Sequence, residues 1–400
     1  TVPPKGSYYE KDANGELTGR LVADPNPMIL YKTIAALPQL SAEEQLNSSK
    51  HYYNKLLSLG VTSVIDAGGG GHTFPENYQA STALAVTGEL PIRVSNYLFP
   101  QTPGKEIQSF TQWMSSYNAN QDLHSHMDNG YVIEGGGELL AWSASDYENF
   151  TSGRPDLAAD AEDELEKVVR LHLLQGWPFR IHATYDQSIE RMLTVFEEIN
   201  KTQPFNKVRW IIDHAETVSD KNLARIKKLG GAIAVQGRMA FAGEDFAKRY
   251  GKQQTKRTPP IKKMLAMGIP VGFGTDGTRV ASFNPWATYY WAVSGKTVGG
   301  YTLYDKTNTL DRLTALQVFT QGSAYFSGEE MLKGQIEPGM YADFAILNQD
   351  ILTVTESKLL KTQAELTVVD GKVQYAAKQS FPKLHKPLQK ALPAWSPVNQ

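Results

Sequence analysis

Apolar positions along this chain follow two alternating rhythms. Short runs rich in Val and Ile read as buried strands, and longer segments with apolar residues at helical spacing lie between them. The clearest run is Val208–His214, VRWIIDH, which stops abruptly at Asp213-His214. Pro178–His182 repeats the plan and ends in His182, and Pro270–Asp276 repeats it and ends in Asp276. Further strands are expected at Val61–Asp66, Ile92–Leu98, Tyr131–Glu134 and Ala232–Gln236. Helical patterns occupy Thr73–Gly88, Glu106–Tyr117, Ala158–Gln175, Gln187–Asn200, Asp220–Leu229 and Pro260–Met267, with a last region from Leu313 to Gly328. Upstream, Ser41-Ala42-Glu43-Glu44 reads as a capping box that opens a helix to Leu59, closed by Gly60. Leu30–Leu37 reads as a short helix and Asp12-Ala13-Asn14-Gly15 as a turn.

Strands alternating with helices point to parallel βαβ topology. Gly68–Gly71, after the first strand, lack the GxGxxG spacing, which argues against a nucleotide-binding doubly wound sheet. An α/β fold of the (β/α)8 barrel type fits better, and such barrels hold their chemistry at the carboxyl ends of the strands. It needs one more strand than the pattern supplies. After Gly328 the rhythm changes. Ala342–Leu347, Leu366–Val369 and Lys372–Tyr375 read as antiparallel strands, with Asp370-Gly371 as a hairpin turn. The tail from Phe381 carries Pro382, Pro387, Pro393 and Pro397 and is expected to be extended. The chain thus divides into an irregular segment 1–48, a barrel 49–330, a set of β-sandwich strands 331–378 and a tail 379–400.

Composition acts mainly by exclusion. A chain of 400 residues with 41% hydrophobic content can bury a large core. The net charge of −2 gives no electrostatic reason to expect nucleic acid or an anionic membrane as partner. No apolar run approaches the roughly 20 residues of a membrane span. There is no cysteine, so disulfides, thiolate nucleophiles and Cys zinc sites are excluded. The compartment is unknown. Lack of Cys and a Thr1 start are compatible with an exported, processed protein.

Two histidines and a carboxylate, each ending a different strand, suit a divalent metal such as Zn²⁺. A lone strand-end histidine is ordinarily a polar residue bonded to loop backbone. His182, His214 and Asp276 together favour ligands. Glu138 follows Gly135-Gly136-Gly137 and stays open between a ligand and a loop carboxylate. Asp213 and Glu216 flank His214 as orienting groups or as solvated loop residues. Gln236, His72 and Trp286 are candidates for substrate contact; a surface histidine and core aromatics are the plain alternatives. His124-Ser125-His126 lies in a polar stretch and reads as an exposed loop, and His51, His172 and His385 carry no functional reading.

The stretches IHATYDQSIE, IIDHAETVSD, VGFGTDG and GQIEPGMYADFAIL with VVDGKVQY resemble the amidohydrolase superfamily, above all its third group, the YtcJ-like metal-dependent hydrolases. The resemblance implies a distorted (β/α)8 TIM-type barrel with a small β-sandwich built from both chain ends. It implies that His182 and His214, on barrel strands 5 and 6, bind metal, and that Asp276 on strand 8 binds metal or moves protons. Two departures stand out. No strand before Val61 ends in the family's His-x-His pair, and Tyr131–Glu138 lacks the lysine that bridges two metals in many relatives. Glu138 or Glu134 is the nearest substitute, and one zinc ion is expected rather than two. The expected function is metal-dependent hydrolysis of a small, non-peptide amide-type C–N bond by activated water, with Asp276 as the catalytic proton acceptor. The alternatives are a hydrolytic deaminase and a metal-poor barrel with a binding or structural role. The expected partners are a small-molecule substrate and a second polypeptide that supplies the first barrel strand with its His-x-His pair. Within the chain, only Tyr8-Tyr9-Glu10 and Leu21-Val22-Ala23 are candidates to improvise that strand.

Overall fold

The computed structural model describes residues 2–3, 7–23, 28–68, 73–117, 130–147, 150–151, 153–154, 156–277 and 280–399. His72, His124 and His126 lie outside the described residues.

The chain begins with a hairpin. Strands β1 (Tyr8–Lys11) and β2 (Leu17–Val22) pair antiparallel, Tyr8 opposite Val22. Asp12 Oδ1 closes the turn by accepting from the backbone N–H groups of Asn14 and Glu16, each at 2.9 Å. The two segments expected to offer a substitute barrel strand therefore pair with each other. Helix Ala42–Leu57 starts at the predicted capping box: the Ser41 hydroxyl accepts from Glu44 N–H, and Ser41 N–H donates to the Glu44 carboxylate.

Seven strands then form one parallel sheet in sequence order: β3 (Ser63–Asp66), β4 (Arg93–Leu98), β5 (Tyr131–Gly136), β6 (Phe179–Ala183), β7 (Trp210–His214), β8 (Ala232–Gln236) and β9 (Val271–Gly274). Alternate residues explain why these strands read as unbroken apolar runs. Phe179, Ile181, Trp210 and Ile212 pack outward against the helices. Ile211 turns to the inner face and joins Tyr97, Ala232 and Phe326 there. A sheet covered on both faces has no solvated side to alternate with.

This is the wall of a distorted TIM-type barrel, with β3 and β9 as its two edges. The wall curls far enough for its flanks to meet. Trp286, on helix Pro285–Ser294 after β9, donates its indole N–H to the Leu59 carbonyl before β3 at 3.0 Å. The rings of Tyr52 and Phe283 meet edge to face, 5.6 Å apart.

Among the described residues, two of the longer helices have no counterpart in the sequence reading. Met239–Thr255 is interrupted at Gly251 (φ 80°). Pro285–Ser294 is buried over most of its surface, so it lacks the polar stripe that marks an amphipathic helix. The helical region expected from Leu313 to Gly328 is present as Arg312–Gln317 and Ser323–Phe326, joined by a wide π-helical turn.

Strands β10 (Phe344–Leu347), β11 (Ala364–Val369) and β12 (Lys372–Ala376) form the expected antiparallel sheet. Asp370 (φ 55°) and Gly371 (φ 69°) make the hairpin turn. The Thr367 hydroxyl donates to the Leu57 carbonyl at 2.7 Å, which seats this sheet on helix Ala42–Leu57. The tail docks on the same helix through Asn47, whose side chain bonds the Lys390 carbonyl and Leu392 N–H at 3.1 and 2.8 Å. No helix among the described residues is long and apolar enough to cross a membrane.

Candidate metal centre

The site is built on the carboxyl ends of β5, β6 and β7. Beyond β5 the chain threads a narrow gap. Gly137 N–H donates to Leu98 O at 2.6 Å, Glu138 N–H to Ala67 O at 2.7 Å, and Glu138 O accepts from His182 N–H at 2.8 Å. A Cβ on Gly135 would strike the Pro178 carbonyl and one on Gly137 would strike Gly68, so only glycine lets the strands approach this closely. This fixes Glu138 beside His182.

His214 arrives by a different device. Strand alternation would send Asp213 and His214 to opposite faces. His214 (φ 81°) and Ala215 (φ 52°) both adopt left-handed backbone, which breaks the alternation. The His214 ring then stands edge to face against His182, with centroids 4.5 Å apart. Glu138 Oε2 lies 3.1 Å from His214 Nε2 and 3.8 Å from His182 Nδ1. One ligating atom from each of the three lies within 4.8 Å of the others.

The surroundings orient these groups. His182 Nε2 lies 3.3 Å from the Asp146 carbonyl, which leaves Nδ1 to face Glu138. Asp146 is itself fully buried and accepts backbone N–H bonds from Thr184 and Tyr185, each at 2.9 Å. Sequence reading missed Asp146, because its segment has no periodicity and its partners lie beyond β6. Arg180 and Asp213 form a buried two-point ion pair, Nε to Oδ2 at 2.9 Å and Nη2 to Oδ1 at 2.5 Å. Gln236 Nε2 donates to Glu216 Oε1 at 2.7 Å. Asp213 and Glu216 are thus buried groups, and the solvated-loop reading of both gives way.

Charge favours a cation here. Glu138, Asp146, Asp213 and Glu216 stand around the two histidines, and Asp213 is paired to the buried Arg180. Burial pushes the Glu138 carboxyl up, but hydrogen bonds and charge from His182 and His214 outweigh it and hold the group well below the usual carboxylate range. Burial opposes a charge on His182, yet Glu138, Asp146 and Glu216 raise it to about 10. Burial and the His182 charge oppose protonation of His214, and Glu138 and Glu216 raise it nonetheless. Protons on these rings supply the positive charge the carboxylates demand, and a divalent ion answers the same demand. Two imidazoles and one carboxylate are a donor set that suits Zn²⁺.

The other candidates fall around this centre. Asp276 follows β9, half-buried and left-handed (φ 48°), outside the cluster of three. Glu134 points to the inner face of β5, pushed up to about 8 by burial and by the charge of Glu329, and is likewise outside it. Gln236 is turned onto Glu216, and Trp286 onto Leu59. His172 is a core residue, its Nδ1 on the Val168 carbonyl at 2.9 Å.

The amidohydrolase family profile matches residues 1–375. The chain belongs to the amidohydrolase family. It is 24% identical over 393 residues to YtcJ of Bacillus subtilis (strain 168), covering 94% of this chain and 69% of that protein. It is 27% identical over 203 residues to the N-substituted formamide deformylase of Arthrobacter pascens, 50% of this chain and 37% of that one. Among solved structures, an uncharacterized metal-dependent hydrolase from Pyrococcus horikoshii OT3 superposes with a TM-score of 0.66 at 25% identity, covering 89% of this chain and 68% of its own. Atrazine chlorohydrolase TrzN from Arthrobacter aurescens TC1, solved with zinc, gives 0.54 at 18% identity over 84% of this chain and 72% of its own, a likeness of fold alone. Membership makes this chain a YtcJ-like amidohydrolase enzyme, and the non-catalytic reading of the barrel falls away.

Proposed function

We propose that this amidohydrolase cleaves the C–N bond of a small amide-type substrate with water, at a single divalent-metal centre held by Glu138, His182 and His214. The convergence of these three donors on adjacent strand ends carries the reading. Held by these three residues, a divalent ion such as Zn²⁺ would supply a water acidified towards neutrality and a Lewis acid for the carbonyl. The chain's own residues do the rest. His182 offers Nδ1 because Asp146 occupies its other nitrogen, and His214 offers Nε2 towards Glu138. Asp276 takes the proton from the attacking water and passes it to the leaving nitrogen. The likeness to a deformylase of N-substituted formamides supports N-formyl amines as first substrates to try. A match of 28% over 132 residues to the 5-methylthioadenosine/S-adenosylhomocysteine deaminase of Symbiobacterium thermophilum keeps deamination as the second reading.

The zinc-loaded protein should be offered N-formyl amines, cyclic amides and amino-heterocycles, with amine, carboxylate and ammonia measured separately. Amine with carboxylate is expected. Ammonia alone would transfer the proposal to deamination, and no turnover on any panel member by a zinc-loaded protein would count against it. Closure of the barrel is part of the same reading: an eighth parallel strand from a second polypeptide, bearing a His-x-His pair, would sit between the edges of β3 and β9. Native mass measurement of material purified from its source should show that second chain, and an active species of 44.3 kDa alone would refute it.

A further inference from the structure

We infer that the buried Arg180–Asp213 pair is a positioning clamp for the metal centre, setting the two histidine-bearing strand ends against each other and keeping the Asp213 carboxylate out of the ligand set. The inference rests on the proposed metal role of His182 and His214.

The placement is specific. In the β6–β7 register Arg180 lies opposite Ile211, and His182 opposite Asp213. The Arg180 guanidinium therefore crosses between strands to reach the residue that faces His182. Arg180 precedes His182 by two positions, on the same face of β6. Asp213 immediately precedes His214, whose left-handed backbone begins where the ion pair pins the strand. One two-point contact thus ties both ligand-bearing ends together.

The guanidinium rests on aromatic rings, 5.2 Å from the centre of Tyr97 and 5.9 Å from that of Phe326. Tyr97 is fixed in turn, its hydroxyl donating to the Phe326 carbonyl at 2.6 Å. Arg180 is therefore held against aromatic rings that are themselves fixed. A buried ion pair of this kind is a poor source of stability, because desolvation offsets the attraction; apolar replacements of similar size are often neutral or stabilising. Its effect here is geometric and chemical. Both Asp213 oxygens are occupied by Arg180, so a fourth carboxylate beside Glu138 is withdrawn from competition for the ion.

The test compares wild type with R180M/D213L, R180M and R180K. The readouts are Zn²⁺ affinity by chelator competition, the visible spectrum of the Co²⁺-substituted protein, and melting temperature without metal. R180M/D213L should melt within a few degrees of wild type or above it, yet bind Zn²⁺ roughly 10- to 100-fold more weakly, the usual effect of losing a group that orients a ligand. R180M should shift the Co²⁺ spectrum as the freed Asp213 carboxylate enters the ligand set. R180K keeps the charge but loses the planar fork. It should weaken Zn²⁺ binding without loss of fold, which keeps the test decisive if the double variant does not fold. Folded variants with wild-type affinity and an unchanged Co²⁺ spectrum would overturn the clamp. A wild type that binds no Zn²⁺ would instead overturn the metal reading on which the clamp depends.

Discussion

The middle of the barrel wall and its edges are built from the same kind of strand, yet they are not equivalent. β6 and β7 are buried along their whole length and pair without a break from Phe179–Trp210 to Ala183–His214. β3 is half-exposed at every residue, β9 ends exposed at Gly274, and each pairs on one side only. The three clustered donors stand on β6, β7 and the end of β5. Asp276 stands just past an edge. Holding ligands to a fraction of an ångström needs strands fixed from both sides. On the proposed function, metal binding falls to the middle of the wall, where strands pair on both sides, and proton transfer to Asp276 at its margin.

Breaking the middle should have the largest effect. His182→Ala or His214→Ala removes one of three donors, and we expect loss of both bound metal and hydrolysis. Elemental analysis beside an activity assay checks this, and a variant that kept both would place the centre elsewhere. Breaking the margin should separate the two functions. Asp276→Asn should retain metal but lose about 10²- to 10⁴-fold in kcat, because an amide cannot accept the proton. Retention of wild-type kcat would take Asp276 out of the mechanism.

Hydrogen exchange contrasts the two regions without a mutation. Amides of Ile181 and Ile212, in the middle, should exchange far more slowly than those of Val64 and Phe273, at the edges. Equal protection would erase the distinction. The smallest effect concerns Glu134, on β5 below the site. Burial pushes its carboxyl from 4.5 up to about 8, so the folded chain holds a proton that the unfolded chain releases. The contribution of Glu134 to stability therefore falls as pH rises from 4.5 to about 8 and is level above that. Glu134→Gln should raise the melting temperature at pH 8 and change it little at pH 4. A variant whose melting curve tracks wild type at both values would contradict the assignment.

Much of the middle was legible in the sequence. VRWIIDH and PFRIH show apolar runs that stop at a histidine because both faces of the strand are buried up to that point. Arg180 and Asp213 were a signal of a different kind: charges inside apolar runs, which a buried strand accepts only when they are paired. Their partnership was not legible, since it depends on the register between two strands. Glu138 stayed open because the glycines that carry it belong to the strand itself, which runs to Gly136. Asp146 and the role of Gln236 rest on contacts between segments far apart in sequence. The edges were legible as a shortage, one strand too few. The turn at Asp12–Gly15 was legible, but the pairing of Tyr8–Lys11 with Leu17–Val22 across it was not.

Anomalous scattering from crystals of the zinc-loaded protein would locate the ion. One peak is expected in the space shared by Glu138, His182 Nδ1 and His214 Nε2, with Asp213 still paired to Arg180. A zinc peak elsewhere in the barrel, or one that has drawn Asp213 away from Arg180, would contradict that placement.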